Sequence, residues 1–120
     1  VAEGGYDQLG RHITQPGAQL SLPRKIFLYT VAGSFWLQTG INPWSISPLD
    51  DISAIAPRPV MLIYGEHEIQ RGGGLLQYQA AGEPKTLWVV AGGDHGSNFS
   101  LDPQEYNRRV LEFFERTLFP

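Results

Sequence analysis

Two short apolar runs in the chain end in glycine and are each followed by polar, titratable residues. The first covers Val60–Tyr64 and ends at Gly65, and the second covers Thr86–Ala91 and ends at Gly92. Continuous apolar runs, as opposed to alternating ones, are typical of strands that helices cover on both faces. The pattern therefore predicts two central strands of a parallel α/β sheet.

An apolar segment over residues 24–38 predicts a long helix that ends at Gly40. Its large side chains, among them Phe35 and Trp36, fall on more than one helical face. We therefore expect a helix that is largely buried or lies against an apolar surface. A covering helix is the plainer interpretation, and a lid over an acyl pocket or an interfacial membrane anchor is the functional one.

The end of the chain predicts an amphipathic helix. Asp102 as cap, Pro103 at the first helical position and Glu105 in the first turn form the pattern of a helix start. Three- and four-residue spacing then separates an apolar face from a charged one. The predicted apolar face comprises Tyr106, Val110, Phe113, Phe114 and Thr117, and the charged one Glu112, Glu115 and Arg116.

Shorter elements complete the prediction. Ser47 as cap and Pro48 as first helical residue predict one short helical turn, and residues 75–81, before Gly82, predict another short helix. Residues 1–5 are typical of the end of a strand and its turn, which gives about three parallel strands. A parallel sheet of only three strands is not easily stable alone, and its two faces must be covered by other parts of the protein or by a partner. Since the chain also begins at Val1, we expect a piece of a longer protein or a chain with a partner.

Composition narrows the function classes. The chain has 120 residues, 42% apolar and 18% charged, as expected for one folded domain or less. A net charge of -3 provides no basic surface, which argues against a nucleic-acid partner. The absence of cysteine excludes disulfides and thiolate metal sites. No run is long enough to span a bilayer, and we expect no cofactor.

The candidate chemistry lies just after the two strands. Functional groups of parallel sheets sit beyond the carboxyl ends of the strands. Glu68 follows the first strand, and His95, between Gly93-Asp94 and Gly96, follows the second. A histidine in an exposed glycine-rich loop with a carboxylate nearby is the arrangement of a general base in acyl transfer. We therefore predict His95 as the base and Glu68 as its acid partner.

Several other candidates carry less weight. Ser34 does not follow a strand and has one flanking glycine, so it is a poor nucleophile candidate. The glycine run 72–74 lacks the complete phosphate-loop and dinucleotide motifs. A metal site formed by His67, Glu68 and His95 remains as a weak alternative, because these ligands have no local spacing motif. His12 has the context of a solvated histidine.

At these residues the chain resembles the carboxyl-terminal half of an α/β-hydrolase, most closely the esterase- and dipeptidyl-peptidase-like members. The resemblance is clear over residues 41–118 and weaker over 1–40. The segments that carry it are 47–50, 55–60, 62–68, 80–85, 90–96 and 106–114. It implies an α/β fold in which 1–40 is a covering region with the end of a strand and 41–120 holds the acid- and histidine-bearing βα units.

The resemblance also implies roles. His95 matches the catalytic histidine and Glu68 the triad acid, where the family usually has Asp; Glu66 is the fallback. No G-x-S-x-G motif occurs in the chain, so the nucleophile serine is expected upstream. The isolated chain should then be inactive, since losing a triad member costs on the order of 10⁴ to 10⁶ in kcat.

The leading hypothesis is thus the carboxyl-terminal portion of a serine hydrolase that cleaves ester or amide bonds, with the remainder of the hydrolase domain as its partner. Phe35 and Trp36 would help to shape the acyl pocket. Some relatives carry an amino-terminal membrane segment, so membrane association of a parent chain stays open. The alternative is a non-catalytic α/β module in which the aromatic segment docks a partner.

Overall fold

The computed structural model describes residues 1–14, 20–71 and 73–119. Three strands form one parallel sheet in the order β1 (Ala2–Glu3), β2 (Val60–Gly65) and β3 (Lys85–Val90). In the register of the sheet, Leu62 lies between Ala2 on one side and Leu87 on the other. The predicted α/β class with three parallel strands and flanking helices is confirmed.

Every residue of the middle strand, β2, is buried. This burial explains why the sequence of β2 is apolar without alternation. Leu62 and Tyr64 pack with Ile69 on one face of the sheet, whereas Met61 and Ile63 pack on the other. Burial of one such side chain stabilises the fold by about 1.5–3 kcal/mol. Both faces of β2 therefore contribute to the core.

Helices surround the sheet in the described residues. They are α1 (Leu9–Thr14), α2 (Leu22–Thr39), α3 (Pro48–Asp51), α4 (Gly74–Ala80), α5 (Asn98–Leu101) and α6 (Pro103–Leu118), with 3-10 turns at Pro43–Ser45 and Ile52–Ile55. The predicted cap of α3 is present, because the Ser47 side chain accepts a hydrogen bond from the Asp50 N–H. Helix α1 lies in a segment whose sequence is polar and irregular.

Helix α6 starts as predicted and covers one face of the sheet. The Asp102 side chain accepts from the Glu105 N–H at 3.0 Å. Its residues Tyr106, Val110 and Phe113 pack against the Met61 side of the sheet. Phe114, predicted on the same face, is 40% exposed. One residue turns a helix by about 100°, so a position next to Phe113 falls at the edge of the contact.

Helix α2 begins two residues before and ends one residue after the predicted range 24–38, and it is more exposed than a buried helix would be. It ends at Gly40, whose φ of 71° is the left-handed conformation that glycine adopts most readily. Within the described residues only Ala32 of this helix is buried, while Leu37 is 90% exposed. Its neighbours are α1 and Trp44, on which Tyr29 stacks. The described residues therefore do not bury this helix, and the alternative that it lies against another apolar surface stays a prediction.

No helix in the described ranges is long and apolar enough to cross a membrane.

Candidate active site

A tight turn at the end of β2 places the Glu68 side chain. The N–H groups of Glu68 and Ile69 both donate to the carbonyl of Gly65, at 3.1 and 3.0 Å. This turn folds the Glu68 side chain back toward the strand, where its Oε1 accepts from the Gly65 N–H at 3.0 Å. The Glu68 side chain is consequently only 8% exposed, which is unusual for a charged residue.

The loop after β3 lies against that turn through its backbone. The His67 N–H donates to the Gly93 carbonyl at 2.9 Å. A Cβ added to Gly65 would overlap with the backbone of Gly93 and Asp94. Glycine at this position therefore allows the two loops to approach more closely than any other residue would.

This contact brings His95 to Glu68. The His95 Nδ1 lies 3.1 Å from Glu68 Oε2, and the His95 side chain is 76% exposed. Because a carboxylate can only accept a hydrogen bond, Nδ1 carries the hydrogen of this pair. The opposite nitrogen, Nε2, is then the acceptor of the neutral ring and is free to take a proton from another molecule.

Glu66, the fallback acid, has a different partner. Its Oε2 accepts from the Gly92 N–H at 2.8 Å, and the residue is exposed. It thus holds the backbone of the β3 loop, while Glu68 faces the imidazole. The structure brings Glu68 and His95 together and leaves Glu66 outside the pair.

Sequence reasoning missed a set of polar residues behind the pair. Asn98 Nδ2 donates to Glu3 Oε1 at 3.0 Å and to Glu68 Oε1 at 3.4 Å. The Tyr106 hydroxyl donates to Glu3 Oε2 at 2.6 Å. Burial, followed by this hydrogen bond to Glu3, raises the pKa of Tyr106 to about 12. No local pattern points to Asn98 or Glu3, since their contacts join distant parts of the chain.

The segment after β1 also lies against the pair. Gly4 has a φ of 56°, and a Cβ added there would be 2.9 Å from His95 Nδ1. The Tyr64 hydroxyl donates to the Gly5 carbonyl at 3.1 Å and so fixes this segment to the end of β2. Burial, and then the nearby charge of Glu68, raises the pKa of Tyr64 to about 12.

An exposed ion pair stands next to the histidine. Arg71 donates to the Asp94 carboxylate at 2.9 Å. The His95 backbone N–H, first, and then Arg71 lower the pKa of Asp94. Asp94 is thereby engaged with the loop backbone and Arg71 instead of the His95 ring.

The remaining sequence candidates lie elsewhere. Ser34 is inside α2, not at a strand-to-helix turn. His12 lies on α1, where its ring tilts against Tyr6 at 5.4 Å. Gly73 of the glycine run caps α4 in the left-handed conformation, whereas residue 72 lies outside the described residues. In the described ranges no group of three histidine or acidic side chains could hold a metal ion.

The geometry can support general-base chemistry. A buried, hydrogen-bonded carboxylate fixes one side of the imidazole, and the exposed side can exchange a proton with a bound nucleophile. Among the described residues, no serine hydroxyl is hydrogen-bonded to His95.

Comparison with known proteins supports the fold. No family model matches the chain. It is 34% identical, over 89 residues and 72% of its length, to the uncharacterized protein PA2218 of Pseudomonas aeruginosa. The chain spans about a quarter (24%) of that relative's length. It also superposes on the crystal structure of the hypothetical protein PA2218 from the same organism, with a TM-score of 0.62 and 19% identity. That superposition covers 96% of this chain and 52% of the crystallised one, so the two share a fold over this region.

Proposed function

We propose that these residues form the acid- and histidine-bearing part of a serine hydrolase of the α/β-hydrolase type, acting on ester or amide bonds. The nucleophilic serine and the oxyanion hole would come from residues outside this chain. The observation that carries the proposal is the contact of the buried Glu68 carboxylate with Nδ1 of the exposed His95 ring. It lies at the carboxyl ends of parallel strands, where such sheets place their functional groups.

Each atom of the pair has a defined task in this chemistry. The serine Oγ–H donates to His95 Nε2, and the ring takes that proton as Oγ attacks the carbonyl carbon. The imidazolium then gives the proton to the leaving alcohol or amine as the carbon–heteroatom bond breaks. A water molecule, deprotonated by the same nitrogen, hydrolyses the acyl-enzyme and restores the serine.

Glu68 orients the ring and stabilises its positive charge during this cycle. Its low exposure matters because solvent screens a charge pair less at a buried carboxylate than at the surface. Its Oε1 is not left unpaired, since the Gly65 N–H and the Asn98 amide both donate to it. A buried carboxylate without such donors would be costly.

Labelling with a fluorophosphonate tests the proposal. In the complete protein that carries these residues, we expect covalent labelling of one serine outside the 120-residue chain, identified by peptide mass spectrometry. His95→Ala should abolish the labelling. His67→Ala, which removes the exposed histidine of the neighbouring loop, is the matched control and should preserve it. Labelling that persists in His95→Ala would refute the proposal.

A second candidate function is a non-catalytic α/β module that docks a partner through α2. The observation that favours it is the exposure of large apolar side chains on that helix, for example Phe27 at 64% and Leu37 at 90%. Surfaces of this kind often mark interaction sites. Under this alternative His95→Ala leaves the function of the complete protein intact, whereas a double substitution of Phe27 and Leu37 by Ser removes it.

A further inference from the structure

The side-chain amide of Asn98 lies between two carboxylates that come from different strands. Its Nδ2 donates one hydrogen to Glu3, the last residue of β1, and the other to Glu68, beyond β2. Asn98 itself follows the β3 loop and is 0% exposed. One neutral amide thus connects the ends of all three strands behind the His95 ring.

The orientation of this amide is dictated by charge. Its Oδ1 is buried and has no hydrogen-bond partner among the described residues. A flipped amide would turn Oδ1 toward two carboxylate oxygens, leaving Glu3 Oε1 without the amide donor and Glu68 Oε1 with only the Gly65 N–H. An unpaired buried acceptor is unfavourable, but hydrogen bonds to charged groups are the stronger kind, so the two bonds to carboxylates favour this orientation of the amide.

A glycine in the loop after β3 makes room for the Asn98 side chain. A Cβ on Gly93 would collide with Asn98 Oδ1. Gly93, which lies against Gly65, therefore also leaves room for the Asn98 amide. Side chains of similar volume but without the amide would fill the space and lose the contacts.

We propose that Asn98 is a positioning residue for the acid of the pair, an inference that rests on the proposed function. By holding Oε1 of Glu68, together with the Gly65 N–H, it directs Oε2 at His95 Nδ1. It also separates Glu68 from Glu3 by a neutral donor, which avoids the direct contact of two like charges. Asn98 acts through Glu68 and does not touch the reacting atoms.

The charged and titratable groups that face this arrangement come from every neighbouring element. Their protonation must be considered in any pH experiment, because each contributes to the field at the ring. They are Glu3 of β1, Tyr64 of β2, Glu68 and Arg71 after β2, Asp94 and His95 after β3, and Tyr106 of α6.

Two substitutions in the complete protein test the proposal. Asn98→Asp adds a negative charge near the ring, which should move the acidic limb of the kcat/KM pH profile to higher pH by about one unit. Asn98→Leu removes the amide without adding charge. It should lower kcat on the order of tenfold at unchanged KM, because fixing the acid acts on the transition state rather than on substrate binding.

Proton NMR supplies a readout that does not depend on activity. The signal of the His95 Nδ1 hydrogen, assigned by its loss in His95→Gln, reports directly on the bond to Glu68. Asn98→Leu should shift it upfield. Gln77→Leu is the control, because it removes another buried amide, bonded to Tyr64 and Tyr6 and to neither carboxylate. It should reduce stability and leave the Nδ1 signal in place.

The outcomes separate this inference from the proposed function. Folded Asn98→Leu protein with an unchanged kcat and an unchanged Nδ1 signal overturns the positioning role. If Asn98→Leu does not fold, an unmoved acidic limb in Asn98→Asp overturns it instead. If the complete protein is not labelled by fluorophosphonate, but Asn98→Leu shifts the Nδ1 signal and Gln77→Leu does not, the positioning role stands and the hydrolase assignment falls.

Discussion

The loop after β2 and the loop after β3 both follow an apolar strand of the same sheet, yet one buries its titratable side chain and the other exposes it. The first buries Glu68 to 8% exposure, and the second leaves the His95 side chain 76% exposed. A base that works on a bound molecule has to be accessible, whereas the group that orients it has to be fixed. Under the proposed function, His95 would meet the first requirement and Glu68 the second.

Backbone hydrogen bonds explain the difference. After β2, two N–H groups donate to the Gly65 carbonyl, which folds Glu68 back under the strand end. After β3, Gly92 and Gly96 have positive φ values, so the chain turns outward on either side of His95. The close backbone contact of Gly65 with Gly93 then joins the two loops.

Among these variants, substitution of the exposed His95 should reduce kcat the most. If the complete protein is the proposed hydrolase, His95→Ala removes the base that transfers the proton and should lower kcat by about 10⁴ to 10⁶, as measured by steady-state ester or peptide hydrolysis. His67→Ala, on the other loop, is the control and should retain activity. A residual kcat in His95→Ala within tenfold of wild type would remove His95 from the mechanism.

Loss of the fixed acid should come next. Glu68→Gln keeps the shape but not the charge that stabilises the imidazolium, and we expect kcat to fall by about 10³ to 10⁴. Glu66→Gln is the matched control, because its amide oxygen can still accept from the Gly92 N–H. Equal losses in the two variants would show that the division between the loops is not what determines activity.

The contact of the two loops should show a clear stability effect. Gly65→Ala places a methyl group against the Gly93 backbone and should reduce the free energy of unfolding by about 3 kcal/mol. In Gly92→Ala the added methyl group has no heavy atom within 4 Å. The free energy of unfolding should then fall only by the cost of a left-handed backbone conformation in alanine, about 1 kcal/mol. Urea denaturation of both variants measures the difference, and equal losses would contradict the steric argument.

The exposed Arg71–Asp94 pair should have the smallest effect. Because the pKa of Asp94 is lowered in the folded state, its contribution is present above the ordinary aspartate pKa of about 3.9 and is lost as pH falls. Arg71→Ala should therefore be slightly less stable than wild type at pH 7 and low salt. The two should converge once the pH falls below the lowered pKa of Asp94, or at high salt. The melting temperatures of the wild type and of Arg71→Ala measure this effect. A difference between them that persists at low pH would indicate lost packing instead of lost charge interaction.

The sequence by itself determined the elements and the candidates. The apolar runs predicted β2 and β3, and Asp102-Pro103 predicted the start of α6, because periodicity, capping and glycine preferences are local properties. The same runs led to Glu68 and His95, since parallel strands align their carboxyl ends. The composition of α2 predicted a helix that is buried or lies against an apolar surface. The described residues do not bury it, because composition does not determine which elements pack on a helix.

Only the tertiary structure decided which groups meet. Glu66 and Glu68 lie in the same turn, and the choice between them depends on a loop 27 residues further along the chain. Asn98 and Glu3 are 95 residues apart, and their contact exists only because β1 lies beside β2. Such contacts are set by the packing of whole elements, which no local pattern of residues encodes.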